Sequence, residues 1–400
     1  MFGATSFVGQ ILSEYMISKY ADQENITWAA AGRSKSKLEA LRTSLGSKAK
    51  GIPLIVADAA VESTLKDMVS QTGVIISTVG PYALYGELLV KVCAETGTDY
   101  CDLTGEPQWI REMISKYEET AKNSGARIIH CCGFDSIPSD LGVYYLQQQA
   151  KAQFGEVCND IKMGVKATKG GASGGTIASM LNMVKELVAK PSLRKVLANP
   201  YSLCPSDHAF SVRQRSNNRP VFDSDFNTWT ALFVMAGINT KIVHRTNALS
   251  GNEYGSDFRY DEAMLMKKGF KAPLLSVGIT TAIASFMALA TIKPTRMILE
   301  KFILPKPGDG PSPEAQKKGF FDLRFMGKTP NGNKMNVKVT GDRDPGYGST
   351  AKVLAETGIL LAIGLSKTDK PGGVWTPASA FGNSLIERLK AQAGLTFETI

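Results

Sequence analysis

Met1-Phe-Gly-Ala-Thr-Ser-Phe-Val-Gly-Gln10 opens the chain, and its reading decides the fold. Val8, Ile11, Leu12, Tyr15 and Met16 recur at helical spacing, so a helix starts near Phe7. Gly3 allows a tight turn out of a strand, and Gly9 lets the helix pack close to that strand. The exposed N–H groups of such a helix start can hold a pyrophosphate. The spacing is Gly-x-x-Ser-x-x-Gly, with Ser6 in the middle, and alone it is a weak signal. Only Met1 and Phe2 precede the turn, where a full apolar strand belongs. The expectation is a truncated first strand. Such a strand is central and buried on both faces, so its loss would leave neighbouring backbone unpaired and weaken folding or cofactor binding.

The surroundings strengthen the signal. From Gly3 to about Leu146, short apolar runs alternate with amphipathic helix patterns, which implies a parallel sheet with helices on both faces. Ile26–Ala31, Pro53–Ala57, Val74–Val79, Tyr100–Leu103 and Arg127–His130 read as strands, and Lys35–Leu45 as a helix. The fold class is α/β, a Rossmann-type doubly wound sheet, with residues 1–146 as an NAD(P)-binding domain. The strand after the first helix ends where a ribose is read, and there the sequence is Ala31-Gly-Arg-Ser34, with no Asp or Glu. An arginine pairs a 2′-phosphate, which favours NADP(H) over NAD(H). The alternative is that Arg33 is a solvated residue at a helix start. Asp58 closes the next strand, either beside an adenine or as a helix cap. The cofactor-binding candidates are Gly3, Thr5, Ser6, Phe7, Gly9, Arg33, Ser34, Asp58, Val79, Gly80 and Pro81.

Hydride transfer also needs a proton donor when a carbonyl or alkene is reduced. Tyr82, Tyr85, Glu106, Asp135 and Ser136 fall in loops after strands, on the carboxyl edge where such sheets bind ligands. Tyr82 and Asp135 are the catalytic candidates. Their alternatives are lid packing for the tyrosine and a helix cap before Pro138 for the aspartate. The Tyr-x-x-x-Lys dyad of short-chain dehydrogenases is not evident, since Tyr145 is followed by Gln149.

Composition narrows the classes. Four hundred residues suggest two or three domains, and 43% hydrophobic with 21% charged residues fit a globular chain. The net charge is +9, but the basic residues form no run, so nucleic acid is not an expected partner. An anionic small ligand or an acidic membrane surface suits the excess better. Six cysteines without a Cys-x-x-Cys pair read as reduced, mostly buried thiols in an intracellular protein without a secretory signal. Adjacent Cys131 and Cys132 read as reactive or, more commonly for strand thiols, inert. Three histidines without ligand spacing give no metal site.

Specific resemblance begins at Val79-Gly-Pro-Tyr82-x-x-Tyr85-Gly-Glu87. It continues in Asp102-Leu-Thr-Gly105-Glu106, Gly133-Phe-Asp-Ser-Ile-Pro-Ser-Asp-Leu-Gly142, Ser173-Gly-Gly-Thr-Ile-Ala-Ser179, Asp344-Pro-Gly-Tyr347 and Gly372-Gly-Val-Trp-Thr-Pro-Ala378. The chain resembles the saccharopine dehydrogenase-like oxidoreductase family almost from end to end. It is closer to the branch of the mammalian saccharopine dehydrogenase-like protein and the bacterial trans-acting enoyl reductases of glycolipid synthesis than to true saccharopine dehydrogenases. The resemblance implies a Rossmann domain, an inserted mixed α/β domain over 147–365, and a tail over 366–400 that packs back on the first domain. It also implies contact with lipid droplets or membranes in the animal branch. Ser6 departs from the family, which often carries glycine there.

Ala272 to Ile292 carries no charged residue and is about as long as a hydrocarbon core is thick. Lys267, Lys268 and Lys271 precede it, and Lys293 and Arg296 follow. It reads as a buried interdomain helix, an in-plane membrane or droplet anchor, or a span. Lys169-Gly-Gly-Ala-Ser-Gly-Gly175 reads as a close backbone approach at a cleft, 199–228 as an irregular loop, and Pro305–Pro313 as a linker. The leading function is an NADP-dependent oxidoreductase reducing a lipid-like or carrier-linked substrate, of the enoyl reductase type. The alternatives are a nucleotide-binding scaffold on a membrane or droplet, and an amino-acid-type dehydrogenase, whose basic cluster the sequence does not show.

Overall fold

The computed structural model describes residues 1–170, 174–216, 218–303 and 310–400. Residues 171–173 of the glycine-rich stretch and 305–309 of the linker lie outside the described residues.

Phe2 occupies the place of the central strand. It bridges in parallel to Ala31 on one side and to Ser77 on the other, and is 3% exposed. Its N–H donates to Ile76 O at 2.8 Å, and its carbonyl accepts from Thr78 N at 2.9 Å. Ala31 N donates to Met1 O at 2.8 Å, and the amino terminus to Ala29 O at 2.8 Å. Met1–Gly3 pair both neighbours at the carboxyl end of the sheet. That is where the turn has to be held.

The first half then alternates: α1 (Phe7–Tyr20), β1 (Ala30–Gly32), α2 (Lys35–Ser44), β2 (Leu54–Val56), α3 (Glu62–Val69), β3 (Val74–Ser77), α4 (Tyr82–Tyr85), α5 (Glu87–Thr96), β4 (Asp99–Asp102), α6 (Pro107–Ser124), β5 (Arg127–Ile129) and α7 (Ile137–Phe154). The second half holds β6 (Asp160–Lys169), α8 (Gly174–Ala189), α9 (Leu193–Ala198), β7 (Val221–Asp223), β8 (Thr228–Ala231), α10 (Ala236–Leu249), β9 (Arg259–Leu265), α11 (Ala272–Thr291), α12 (Lys293–Ile298), α13 (Pro313–Lys317), β10 (Phe320–Lys328), β11 (Lys334–Gly341) and α14 (Thr350–Ile363). β12 (Gly373–Trp375), α15 (Pro377–Phe381), α16 (Asn383–Arg388) and β13 (Leu395–Thr399) follow.

With Phe2 as the link, the first sheet runs β2-β1-Phe2-β3-β4-β5-β12, all parallel. This is the doubly wound order, whose switch point lies beside the central strand. The second sheet runs β13-β11-β10-β6-β9-β8-β7 and is mixed, because β6 and β9 pair in parallel while the other pairs are antiparallel. The long hairpin β10–β11 alternates inward and outward residues. Phe321, Leu323, Phe325, Met335, Val337 and Val339 join α7 residues Leu141, Val143 and Leu146 in one core.

The tail serves both sheets. Val374 of β12 lies in register with Ile128 of β5, and Phe397 of β13 with Val339 of β11. α14 packs on α1, β3 and β4, and its buried Glu356 accepts from Tyr20 Oη at 2.6 Å and pairs with Arg388 at 2.7 Å.

α11 is not the buried interdomain helix that length and composition allow. Only Ala272, Ser276, Thr280 and Ala290 are buried, and Leu274 is 73% exposed.

Candidate active site

A cavity of about 1010 Å³ lies between the two sheets. One end is the start of α1, with Ser6, Phe7 and Val8. Thr78, Gly80, Tyr82, Thr104, Glu106 and Asp135 continue it along the carboxyl edge of the first sheet. Beyond the first sheet one side is apolar, with Met180 and Met183 from α8, Phe233 to Met235 before α10, and Ile283 and Met287 from α11; the other carries Arg213, Arg215, Lys241, Asp261 and Glu262.

The turn into α1 has the shape that a pyrophosphate cradle needs. Gly3 sits at φ +86°, and a Cβ there would fall 2.6 Å from Thr78 Oγ1 and 2.8 Å from Val79 Cγ2. A Cβ on Gly9 would meet Gly3 O at 2.2 Å, so the helix crosses its own turn too closely for any side chain. Ser6 explains its departure from glycine: its Oγ accepts Gly9 N at 3.0 Å and lies 3.0 Å from Thr78 Oγ1, capping the helix and tying the turn to β3. Phe7 N and Val8 N are in the first turn and have no acceptor within the helix. These residues fit a dinucleotide. The backbone of α1 would hold its pyrophosphate, and the ends of β1 and β2 would hold its adenosine half.

Arg33 stands at the end of β1, exposed and without an acidic partner among the described residues. Ser34 caps α2 through Lys37 N at 3.4 Å. Asp58 accepts Ala60 N at 2.9 Å and so shapes the turn before α3, whose N-cap is Val61. Thr5 holds Gln10 through its carbonyl at 3.1 Å. Gly80 lines the cavity, and Pro81, joined to it by a cis peptide, is the N-cap of α4. None of Arg33, Ser34 and Asp58 lines the central cavity, which begins at Ser6.

At the catalytic end the two expected residues separate. Tyr82 is 3% exposed and does not present its hydroxyl to substrate. Its Oη donates to Ser77 O at 2.9 Å and accepts Leu103 N at 3.4 Å, and burial holds the phenol well above its usual range. The ring is wall, and Tyr82 is corrected from proton donor to packing residue. Tyr85 is 47% exposed and off the cavity.

Asp135 does line the cavity. It is not the helix cap that its position before Pro138 allowed, because Ser136 takes that place. Its carboxylate has no hydrogen-bond partner among the described residues, and burial raises its pKa to about 6. A carboxyl group so placed exchanges a proton near neutrality.

Glu106 organises the loops around it. Its Oε1 accepts Tyr82 N at 2.8 Å and Ser179 Oγ at 2.7 Å, and its Oε2 accepts Ala83 N at 2.9 Å. One carboxylate thus anchors the start of α4 and the middle of α8. Burial still raises its pKa, against the pull of those donors.

Sequence reasoning missed the ionisable groups here: Arg213, Arg215, Lys241, Asp261 and Glu262 all line the cavity. Glu262 on β9 accepts Asn239 Nδ2 at 2.9 Å and Tyr260 Oη at 2.8 Å, and burial lifts it to about 7. Lys241 on α10, 3% exposed, donates to Asn199 O at 2.8 Å, and burial lowers it to about 8. Neither carries a motif, since only the packing of β9 and α10 turns them inward. Cys131 and Cys132 are inert: both are buried, and burial raises both thiols well above their usual range.

A dinucleotide turn on a parallel sheet, facing a mixed sheet across a deep cavity with an unpaired carboxyl, defines a two-domain nucleotide-dependent oxidoreductase. The description of the saccharopine dehydrogenase NADP binding domain matches residues 1–129. The chain is 40% identical to a Mycobacterium tuberculosis protein provisionally described as a trans-acting enoyl reductase, over 100% of this chain and 96% of that one. It is 36% identical to the trans-acting enoyl reductase of Mycobacterium ulcerans, over 97% and 94%. The apo saccharopine dehydrogenase (L-Glu forming) of Saccharomyces cerevisiae shares the fold at TM-score 0.58 and 12% identity, covering 100% of this chain and 98% of that one. The chain belongs to the saccharopine dehydrogenase-like oxidoreductase family, in the branch of the trans-acting enoyl reductases.

Proposed function

We propose that this protein is an NADP(H)-dependent reductase of the enoyl type, acting on a lipid-like or carrier-linked substrate. The observation that carries the reading is the continuity of one cavity from Ser6 and Phe7, past Gly80 and Asp135, to Met180, Met183, Phe233, Ile283 and Met287. A polar reaction edge opens into a space with one apolar side, large enough for an acyl chain, and one charged side that carries Arg213, Arg215 and Lys241. The names of the two curated relatives support alkene reduction. Arg33, with no acid beside it to bind a free 2′-hydroxyl, supports the 2′-phosphorylated cofactor.

Bound dihydronicotinamide supplies a hydride. The protein's part is to place that face and to hold the proton. Glu106 fixes the α4 and α8 backbone on either side of the reaction edge. Asp135, whose pKa is raised to about 6, carries a carboxyl proton below that pH beside the reaction edge. Six unpaired cysteines support a reducing, intracellular setting.

The test is NADPH oxidation followed by absorbance with a long-chain 2-enoyl thioester. Consumption of NADPH with formation of the saturated thioester is the expected outcome. Tight NADPH binding without turnover on any enoyl substrate would leave the scaffold reading in its place.

A further inference from the structure

α11 exposes several large apolar side chains along its outer face. Two of its hydroxyl-bearing residues point inward, while Thr281, Ser285 and Thr291 are exposed. Ser276 Oγ donates to Thr230 O, and Thr280 Oγ1 accepts Leu232 N at 3.2 Å, which pins the first half of the helix along β8. Leu274, Leu275, Val277 and Leu289 point outward, whereas Ile279, Ile283, Phe286 and Met287 are half-buried on the inner flank. Leu274 is 73% exposed, Leu275 51%, and Phe270, just before the helix, 88%. Beyond it Ile292, Met297 and Ile298 are also exposed.

Along the segment that forms this face, charge has one sign. Between Glu262 and Glu300 the chain has no acidic residue and five basic ones: Lys267, Lys268, Lys271, Lys293 and Arg296. None of the five has an acidic partner among the described residues; Lys271 lies over the Phe270 ring at 5.6 Å, and Arg296 donates to Ala290 O at 3.2 Å. A protein partner with an apolar groove would not need cations at both ends of the helix. An anionic bilayer does, because apolar side chains enter below the headgroups while lysines and arginines meet the phosphates.

We propose that α11 lies in the plane of an anionic membrane surface and passes an apolar substrate from the bilayer into the cavity. The link is physical. Ile283 and Met287, on the inner flank of the same helix, line the cavity that runs to Asp135 and the α1 turn. A chain leaving the bilayer beside α11 stays against apolar side chains until it reaches the reaction edge. A transmembrane course is excluded by the pinning of Ser276 and Thr280 to β8, which keeps the helix parallel to a folded sheet. The route rests on the lipid-substrate reading above; the docking does not.

The experiment is co-flotation of the full chain with phosphatidylcholine vesicles, with and without phosphatidylglycerol, on a density gradient. The protein floats with the anionic vesicles and not the neutral ones. Each basic residue near the surface is worth roughly a fivefold gain in partition, so Lys267→Glu/Lys268→Glu/Lys271→Glu lowers partition about a hundredfold or more. High salt has the same effect on the wild-type protein. Leu274→Asp/Leu275→Asp abolishes flotation while NADPH binding, measured on the same sample, stays intact. Flotation unchanged in the triple variant overturns the proposal, and so does wild-type protein that stays with the heavy fraction. Resistance to carbonate extraction would make α11 a span, and a dimer dissociated by Leu274→Asp/Leu275→Asp would assign the face to a second copy. Either outcome overturns it. Reduction of a detergent-dispersed enoyl substrate by the triple variant separates failed docking from failed catalysis.

Discussion

The ring of Phe7 meets the ring of Tyr347 edge-on, with 4.7 Å between centroids. Tyr347 is itself fixed, because Asp344 accepts its N–H at 2.9 Å and that of Gly348 at 3.0 Å. Its hydroxyl accepts Gly174 N at 2.8 Å, at the start of α8. One tyrosine therefore joins the nucleotide turn to the helix that walls the substrate end. An edge-to-face aromatic pair contributes about 0.5–1.5 kcal/mol beyond its buried area. Tyr347→Ala should weaken NADPH binding roughly tenfold in a fluorescence titration, and Tyr347→Phe, which keeps the ring, should change it little. Equal affinity in the alanine variant would remove the coupling.

Arg33 makes the choice between cofactors measurable. A charge-assisted hydrogen bond is worth about 1.5–3 kcal/mol. Arg33→Ala should therefore raise the NADPH dissociation constant by about ten- to a hundredfold and leave that of NADH nearly unchanged. A parallel loss for both cofactors would return Arg33 to the role of a solvated helix-start residue.

Legibility followed chain distance. Gly3, Ser6 and Gly9 act within one turn of helix, so their spacing announces their roles. The strands of the first sheet are parallel and buried, and their apolar runs stand out between helices. β13 did not stand out: its Leu395-Thr-Phe-Glu-Thr399 is short, and pairing with β11 makes it a strand. Tyr82 looked catalytic because its position after β3 is right, but nothing local reveals that Ser77 O and Leu103 N take up its hydroxyl. Glu262 and Lys241 reach the cavity only through the fold of the second sheet, so no sequence spacing marks them.

Glu106 should be intolerant of the smallest change. Both its oxygens accept hydrogen bonds, two from backbone N–H groups and one from Ser179. Glu106→Gln replaces one acceptor by an NH2 group facing a donor, which leaves a buried amide unpaired at a cost of about 1–3 kcal/mol. A lowered melting temperature is expected, with a larger loss in kcat than in NADPH affinity, because α4 borders the reaction edge. A variant with wild-type stability and turnover would deny Glu106 its organising role.

Asp135 predicts a pH profile. With its pKa raised to about 6, the carboxyl is protonated below that value and loses its proton as pH rises through it. Proton donation should therefore be fastest on the acid side and fall above about pH 6 where protonation limits turnover. Asp135→Asn should lower kcat by about a hundredfold or more and flatten that limb, with NADPH affinity preserved. A profile in the variant with the same inflection would assign the proton to another group, with Glu262 the next nearest in kind.

A second carboxylate, away from the chemistry, should set how stability varies with pH. Asp140 on α7 is buried, accepts Thr246 Oγ1 at 2.5 Å and Ala378 N at 2.8 Å, and so clamps α10 and the tail to α7. Burial raises its pKa from 3.8 to about 7 despite these donors. The folded chain then holds a proton that the unfolded chain has lost between those values. The stabilisation is complete below the unfolded pKa, shrinks as pH rises, and is gone once pH passes the folded pKa. Its full extent is roughly 4 kcal/mol, from about 1.4 kcal/mol per pKa unit. Asp140→Asn keeps the geometry, since the amide oxygen can still accept Ala378 N and the NH2 group can donate to Thr246. Thermal unfolding of the wild-type chain should show a melting temperature that declines from pH 5 to 8, and the variant should show a shallower decline. Identical slopes for the two proteins would mean that Asp140 is ionised in the folded state at neutral pH, held by Thr246 and Ala378 against its burial.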